Sequence, residues 1–400
     1  MLESIGNEPP PPQVVALFIG SGDFTGAPKM GWLVAKAFRR LGFRVVAIVG
    51  RRPTNQASVT DHLRAENIIV YEEYGFENLL SIGLVRRCVA RLRAVKPVLL
   101  VSVLQNDFKI AALVSRSVSA PLVIFGQSLT TFYGPNVLRR LKAFMFGFLA
   151  RRYANLVICA SKVAADHYHR VHRIAQGKLL VIPNGIEVEA FAQVRSNRSA
   201  ATNIDGTLEI LNVGRLDVQK GQDILLDAIA MLPLKARSRL NVSFVGGETM
   251  GSNASSLFLK DLLRKVEVLA LGSSVAFLGW RDNVSELLSG CDLYVHSARW
   301  EGLPLAVLEA MASRVPTIYT DCSGALEGFV NGVHGFMVNA GDPNSLQRGL
   351  LQMLTLTPEE RITMGERARE LIRDHYDVSV LGSRIVERCR GVIVQDRAQS

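Results

Sequence analysis

Long apolar runs are missing from this chain of 400 residues: no stretch reaches the roughly 18 residues a membrane-spanning helix needs. The N-terminus has no basic segment leading into an apolar core and a small-residue cleavage site, so no secretory leader is expected. Glu8-Pro9-Pro10-Pro11-Pro12 reads instead as a solvated polyproline lead-in. Cysteine is sparse and scattered. Cys88, Cys159, Cys291, Cys322 and Cys389 form no C-x-x-C pair, which argues against both a disulfide framework and a zinc site. There is no D-x-D triplet to hold a metal, and His167, His169 and His172 do not share one helical face. No metal and no cofactor are therefore expected. Low-complexity segments are also lacking, and 48% apolar content in a chain of this length suffices for two globular cores. A cytoplasmic chain is the expectation.

Charge is plentiful but uneven. Residues 1–190 carry 24 Lys and Arg against 12 Asp and Glu, and the remainder 22 against 24, so the first half holds the whole net charge of +10. Such a field suits an anionic partner: a phosphorylated substrate, a lipid surface or nucleic acid. No recognised nucleic-acid motif or interleaved aromatic platform is present, so nucleic acid is set aside.

The apolar pattern alternates between buried-strand runs and helix-length segments. Residues 13–20 form an apolar run ending in glycine, followed by a Gly-rich loop, a helical stretch near 30–41 and a second strand at 43–49; this βαβ unit opens an α/β domain. Strand candidates follow at 98–103, 122–125, 156–159 and 179–182. After a polar linker the alternation restarts, with strands at 208–213, 242–245, 275–278, 293–296, 317–319 and 335–338, and helical pattern from Pro358 onward. The expected organisation is an N-terminal domain (13–190), a linker (191–207), a C-terminal domain (208–375), and a C-terminal helix (376–400) packing back on the first domain. Two doubly wound, Rossmann-like halves would bind ligands in the cleft at the carboxyl ends of both sheets.

Two constellations carry chemistry. The strand at 208–213 runs into Gly214-Arg215, and Lys220-Gly221 follows before a helix; the two cations flank one strand-to-helix loop and suit a diphosphate. The strand at 293–296 runs into Glu301-Gly302-Leu303-Pro304 and a helix holding Val307, Leu308 and Glu309. A helix N-terminus after a glycine turn offers free N–H groups to an anion, and the two carboxylates can bind paired hydroxyls. Taken alone, each pair also reads as solvated cations or ordinary helix acids. Arg314, where glycine would more readily end the helix, implies a left-handed arginine costing on the order of 1 kcal/mol.

The run Glu301-Gly-Leu-Pro-Leu-Ala-Val-Leu-Glu309 resembles the E-x7-E motif of retaining GT-B glycosyltransferases of the family 4 type (glycosyl transferases group 1). Gly214-Arg215-Leu-Asp-Val-Gln-Lys220-Gly221 is similar to that family's G-R-x5-K-G motif, and Ile182-Pro-Asn-Gly185 to its interdomain signature. The resemblance implies a GT-B fold and transfer of a sugar from a nucleoside-diphosphate sugar, with UDP or GDP as the nucleotide. The acceptor would be a hydroxyl on a saccharide or lipid, in polysaccharide or glycolipid synthesis. It implies that Glu309 binds the ribose and Glu301 the transferred sugar, that Arg215 and Lys220 neutralise the leaving diphosphate, and that the backbone near Gly302, Leu303, Val307 and Leu308 caps the phosphates. Arg281 would face the base, and Gly22 would approach the phosphates from the first domain. The family's mid-domain histidine has no counterpart between His62 and His167; Gln127 stands near that place, with Asn106 and Asp107 one strand earlier. The basic, aromatic-bearing segment 135–153 reads either as a core helix with charged ends or as a contact with anionic membrane on its inner face. Other readings kept open are a sugar-nucleotide 2-epimerase or phosphorylase on the same fold, and an NADP-dependent oxidoreductase using Arg51 and Arg52. The last lacks a correctly spaced G-x-G-x-x-G, since Gly20, Gly22 and Gly26 are off by one residue.

Overall fold

The computed structural model describes residues 12–24, 26–51, 58–78, 81–103, 105–126, 137–191, 207–248 and 253–399. Its first half alternates β1 (Val14–Ile19), α1 (Gly26–Arg40), β2 (Arg44–Gly50), α2 (Val59–Ala65), β3 (Ile69–Glu73), α3 (Ile82–Val95), β4 (Leu99–Ser102), α4 (Gln105–Val118), β5 (Leu122–Gly126), α5 (Val137–Tyr153), β6 (Ala154–Cys159), α6 (Lys162–His172) and β7 (Leu179–Val181). Every pairing among these strands is parallel, in the order β3-β2-β1-β4-β5-β6-β7. All six residues of β1 are buried, which is why it reads as an unbroken apolar run. Val15, Leu17 and Ile19 enter one core, and Val14, Ala16 and Phe18 enter the other on the opposite face.

The second half repeats the scheme with β8 (Leu208–Val213), α7 (Gln222–Ala230), α8 (Leu234–Arg237), β9 (Leu240–Val245), α9 (Asn253–Val268), β10 (Val275–Gly279), α10 (Val284–Gly290), β11 (Leu293–His296), α11 (Leu305–Ala312), β12 (Thr317–Thr320), β13 (Phe336–Val338), α12 (Pro343–Thr355), α13 (Pro358–Tyr376) and α14 (Val378–Gln399). Its sheet is parallel in the order β10-β9-β8-β11-β12-β13. In both sheets the chain reverses direction next to the first strand, between β1 and β4 and between β8 and β11. Loops leaving the carboxyl ends of strands diverge at such a switch point and open a crevice.

Three elements differ from the sequence reading. β3 escapes a search for apolar runs because it is an edge strand, mostly half-buried, ending in the acidic pair Glu72-Glu73. Glu73 is buried all the same, held by Arg87 at 2.7 Å and Arg91 at 3.0 Å. α12 was not expected; Asp342 caps it and proline occupies its first turn. The helical C-terminal pattern is two helices, since Asp377 is extended between α13 and α14. α14 lies against α1, where Leu381, Ile385, Val386, Cys389, Val392 and Ile393 complete the first sheet's core.

The chain passes between the halves twice, side by side. Ile186 N–H donates to Tyr376 O at 3.0 Å, and Val378 N–H donates to Ile186 O at 2.9 Å. Gly185 fits because an added Cβ would lie 3.2–3.3 Å from Leu381 and Tyr376. Among the described residues no helix is long and apolar enough to cross a membrane.

Candidate active site

The loops leaving β8 and β11, the two strands of the second switch point, are tied to each other. Asn212 Nδ2 donates to Val295 O at 2.7 Å, Ser297 Oγ to Lys220 O at 3.0 Å and Gln219 Nε2 to Trp300 O at 3.0 Å. Arg299 forks onto Asp223 at 2.6 and 2.8 Å. Gly221 sits between the loops in a left-handed conformation (φ 65°), and an added Cβ would lie 2.1 Å from Ser297 O. Only glycine meets both demands. Rigid loops of this kind hold charged side chains in place before a ligand arrives.

Lys220 makes an ion pair with Glu301, whose side chain is 13% exposed. Burial alone would raise the Glu301 carboxyl, but the Lys220 ammonium, with His296 and Arg215 behind it, outweighs burial and holds it below its usual value. Arg215 is half-buried on the same loop, and Gly214 lies against the aliphatic stem of Lys220, where a Cβ would sit 3.3 Å away. His296, at the end of β11, is buried and pushed down to about 4, chiefly by desolvation. The structure thus gathers Gly214, Arg215, Lys220 and Glu301 at one point.

α11 starts after Pro304 with no side-chain cap, so the first N–H groups of its opening turn face outward. The Val307 N–H is already engaged, donating to Pro304 O at 3.2 Å. The side chains of Val307 and Leu308 are wholly buried in the core. Gly302 and Leu303 are buried too, and Leu303 O accepts from Asn184 Nδ2 at 3.2 Å. Glu309 turns out of the helix to meet Lys29 of α1 in an ion pair. Arg314 has φ 59° and anchors itself on Glu366 at 2.8 Å.

Arg281 is exposed beyond Gly279. Beside it, Trp280 closes over Gly247, where a Cβ would lie 2.5 Å from the indole. Gly246 approaches Gly214 so closely that a Cβ would lie 2.0 Å from its carbonyl oxygen. The carboxyl ends of β8, β9 and β10 thus share a glycine floor. The signal for it was the Gly246-Gly247 pair directly after a strand.

In the first half, Gly22 packs on the β2 end: a Cβ would lie 2.5 Å from Arg51 O and 2.8 Å from Gly50 O. Asp107 is fully buried; it accepts from Gly20 N–H at 2.9 Å and from the Ser102 hydroxyl. These bonds hold the start of the glycine loop. Gln127 lies outside the described residues. The histidines of α6 serve packing: His172 is buried beside Phe146 and Tyr168, and His169 Nδ1 meets Ile174 O at 2.9 Å. On α5, Phe146 and Ala150 enter the core while Phe144 and Phe148 are 66% and 53% exposed.

Residues 26–190 match the family described as Glycosyltransferase Family 4, and residues 194–371 match Glycosyl transferases group 1. Among curated relatives, the mannosylfructose-phosphate synthase of Agrobacterium fabrum is 28% identical over 202 residues, covering 49% of this chain and 44% of that one. An uncharacterized glycosyltransferase of Methanocaldococcus jannaschii is 25% identical over 282 residues, covering 69% and 71%. The lipopolysaccharide core mannosyltransferase LpsB of Rhizobium meliloti is 31% identical over 156 residues, covering 38% and 43%. The chain thus spans less than half the length of two of these three relatives. Solved structures agree in fold over nearly the whole chain. Anabaena HepE, in complex with UDP and glucose, superposes with a TM-score of 0.80 at 22% identity over 95% of this chain and 100% of that one. Sucrose-phosphate synthase of Thermosynechococcus elongatus gives 0.75 at 18% identity over 96% and 100%.

Proposed function

This chain belongs to the GT-B glycosyltransferases of the family 4 type, the glycosyl transferases group 1, and on that premise we propose that it moves a sugar from a nucleoside-diphosphate sugar to an acceptor hydroxyl with retention of configuration. The observation that carries this reading is the convergence of Arg215, Lys220 and Glu301 on two mutually tied loops at the second switch point. UDP, bound by the structurally similar HepE, is the first nucleotide to test, with GDP second.

Departure of the nucleoside diphosphate is the demanding part, because negative charge accumulates on its terminal phosphate. Lys220 and Arg215 meet that charge, and the uncapped first turn of α11 adds N–H dipoles. Such groups act most strongly where water is excluded and no reorganisation is needed. Lys220 pairs with Glu301, so a phosphate arriving at the lysine exchanges one of its partners for another and leaves Glu301 to the sugar hydroxyls. While paired with Lys220, the Glu301 carboxyl is held below its usual value and is a hydrogen-bond acceptor, not a proton donor. Glu309, deeper in α11, is assigned to the ribose. The leaving phosphate itself takes the acceptor's proton as the hydroxyl attacks from the same face, which gives front-face transfer with retention.

A saccharide or lipid-linked acceptor fits the relatives that build lipopolysaccharide core. Contact with anionic membrane is supported by Phe144 and Phe148, exposed on a helix with arginines at its end.

A Glu301→Ala variant should keep the thermal shift that UDP or GDP produces, a few kcal/mol at about 100 Kd, and lose sugar transfer. Transfer at the normal rate would remove the assignment of Glu301. Absence of any shift in the unmodified protein would remove the donor reading. Product analysis of labelled donor with and without acceptor separates transfer from epimerisation.

A further inference from the structure

Lys29 occupies the first turn of α1, a helix whose Met30, Leu33, Val34, Ala37 and Phe38 are fixed in the first domain's core. Its ammonium reaches across to Glu309 on α11, which belongs to the second domain's core, and stands 6.0 Å from the centre of the Phe191 ring. Both partners are largely screened from water, with side chains 25% and 12% exposed. A charge-assisted hydrogen bond of this kind is strong and directional, and it fixes the carboxylate that accepts it. The ammonium comes from the opposite side of the cleft.

We propose that Lys29 is a positioning residue for the nucleotide end of the donor: by pairing with one Glu309 oxygen across the cleft, it holds that carboxylate turned towards the ribose. A carboxylate accepts about four hydrogen bonds, so a single ammonium leaves room for two neighbouring hydroxyls. Ribose recognition is then completed only when both domains are together, because the residue that orients the carboxylate and the carboxylate itself sit on different domains. This inference rests on the reading of Glu309 as the ribose group.

The test compares UDP with 2′,3′-dideoxy-UDP, and GDP with its dideoxy analogue, by calorimetry on the intact protein and three variants. Loss of hydroxyl-to-carboxylate bonds should cost the unmodified protein about tenfold or more in affinity for the dideoxy ligand. Glu309→Gln should erase most of that preference. Lys29→Met, which keeps length and apolar contact, should cut it to within about threefold and raise the donor KM about tenfold while kcat changes far less. Lys29→Arg should restore most of both. If Glu309→Gln keeps the full preference, the ribose assignment fails and the inference falls with it. If Glu309→Gln loses the preference but Lys29→Met keeps it, the ribose assignment stands and the role of Lys29 is overturned. A Lys29→Arg variant as impaired as Lys29→Met would trace the effect to packing over Phe191 and overturn it equally.

Discussion

Glu301 and Glu309 come from one short stretch of chain, yet each has a different lysine and faces a different domain. Residue identity and spacing were enough to single out both carboxylates, together with Arg215 and Lys220. Lys29 was invisible at that level, since a lysine near the start of a helix carries no pattern and its partner is 280 positions away. Buried histidines give a prediction at the same scale. His172 and His296 are both pushed down to about 4, in each case mainly by burial, against about 6.5 when unfolded. The unfolded chain therefore binds more protons below pH 6.5. Stability is fully present above that value and is lost as pH falls towards 4, by at most about 1.4 kcal/mol per pH unit for each histidine. Melting temperatures recorded from pH 7 to 4.5 should fall, and His172→Phe with His296→Asn should flatten the fall. An identical profile in the double variant would assign the acid loss to other groups.

Among elements, strands buried on both faces announced themselves, as did the edge strands β7, β10 and β13, while the edge strand β3 did not. β1, β2 and β8 are apolar runs because helices cover both sides of each sheet. β3 was hidden because an edge strand needs only partial burial and tolerates Glu72-Glu73. α14 was legible as a helical pattern and was expected on the first domain; the structure sets it against α1, in a core whose other members lie at the far end of the chain. Ile385, 1% exposed there, should cost about 2–5 kcal/mol when changed to Ala, by lost transfer energy and the cavity left behind. Urea titration followed by Trp32 fluorescence, in variants lacking the other two tryptophans, would report it, and an unmoved midpoint would show that α14 is dispensable to the first domain. Helix α11 carries a smaller conflict: Arg314 accepts a left-handed backbone and recovers part of the cost through Glu366.

On the scale of the whole molecule, the basic excess of residues 1–190 belongs to one domain, built on the first sheet. The membrane reading predicts that reversing Arg139, Arg140 and Lys142 together abolishes co-sedimentation with vesicles rich in phosphatidylglycerol and leaves neutral vesicles unbound as before. Each basic residue near such a surface contributes about 1 kcal/mol, so a triple reversal should be decisive; unchanged sedimentation would sink the idea.

The amino-acid sequence by itself determined the α/β class, the repeat of one architecture in two halves, and the loop and helix that carry the candidate site's charges. These follow from local rules: burial of both strand faces, glycine at turns, and cations and carboxylates at fixed spacing. The tertiary structure alone decided which charges meet. Lys29 with Glu309, Asp107 with Gly20 and Asn184 with Leu303 all join segments far apart in the chain. Such pairings depend on how two sheets and their crossing segments are stacked, and no local periodicity records that.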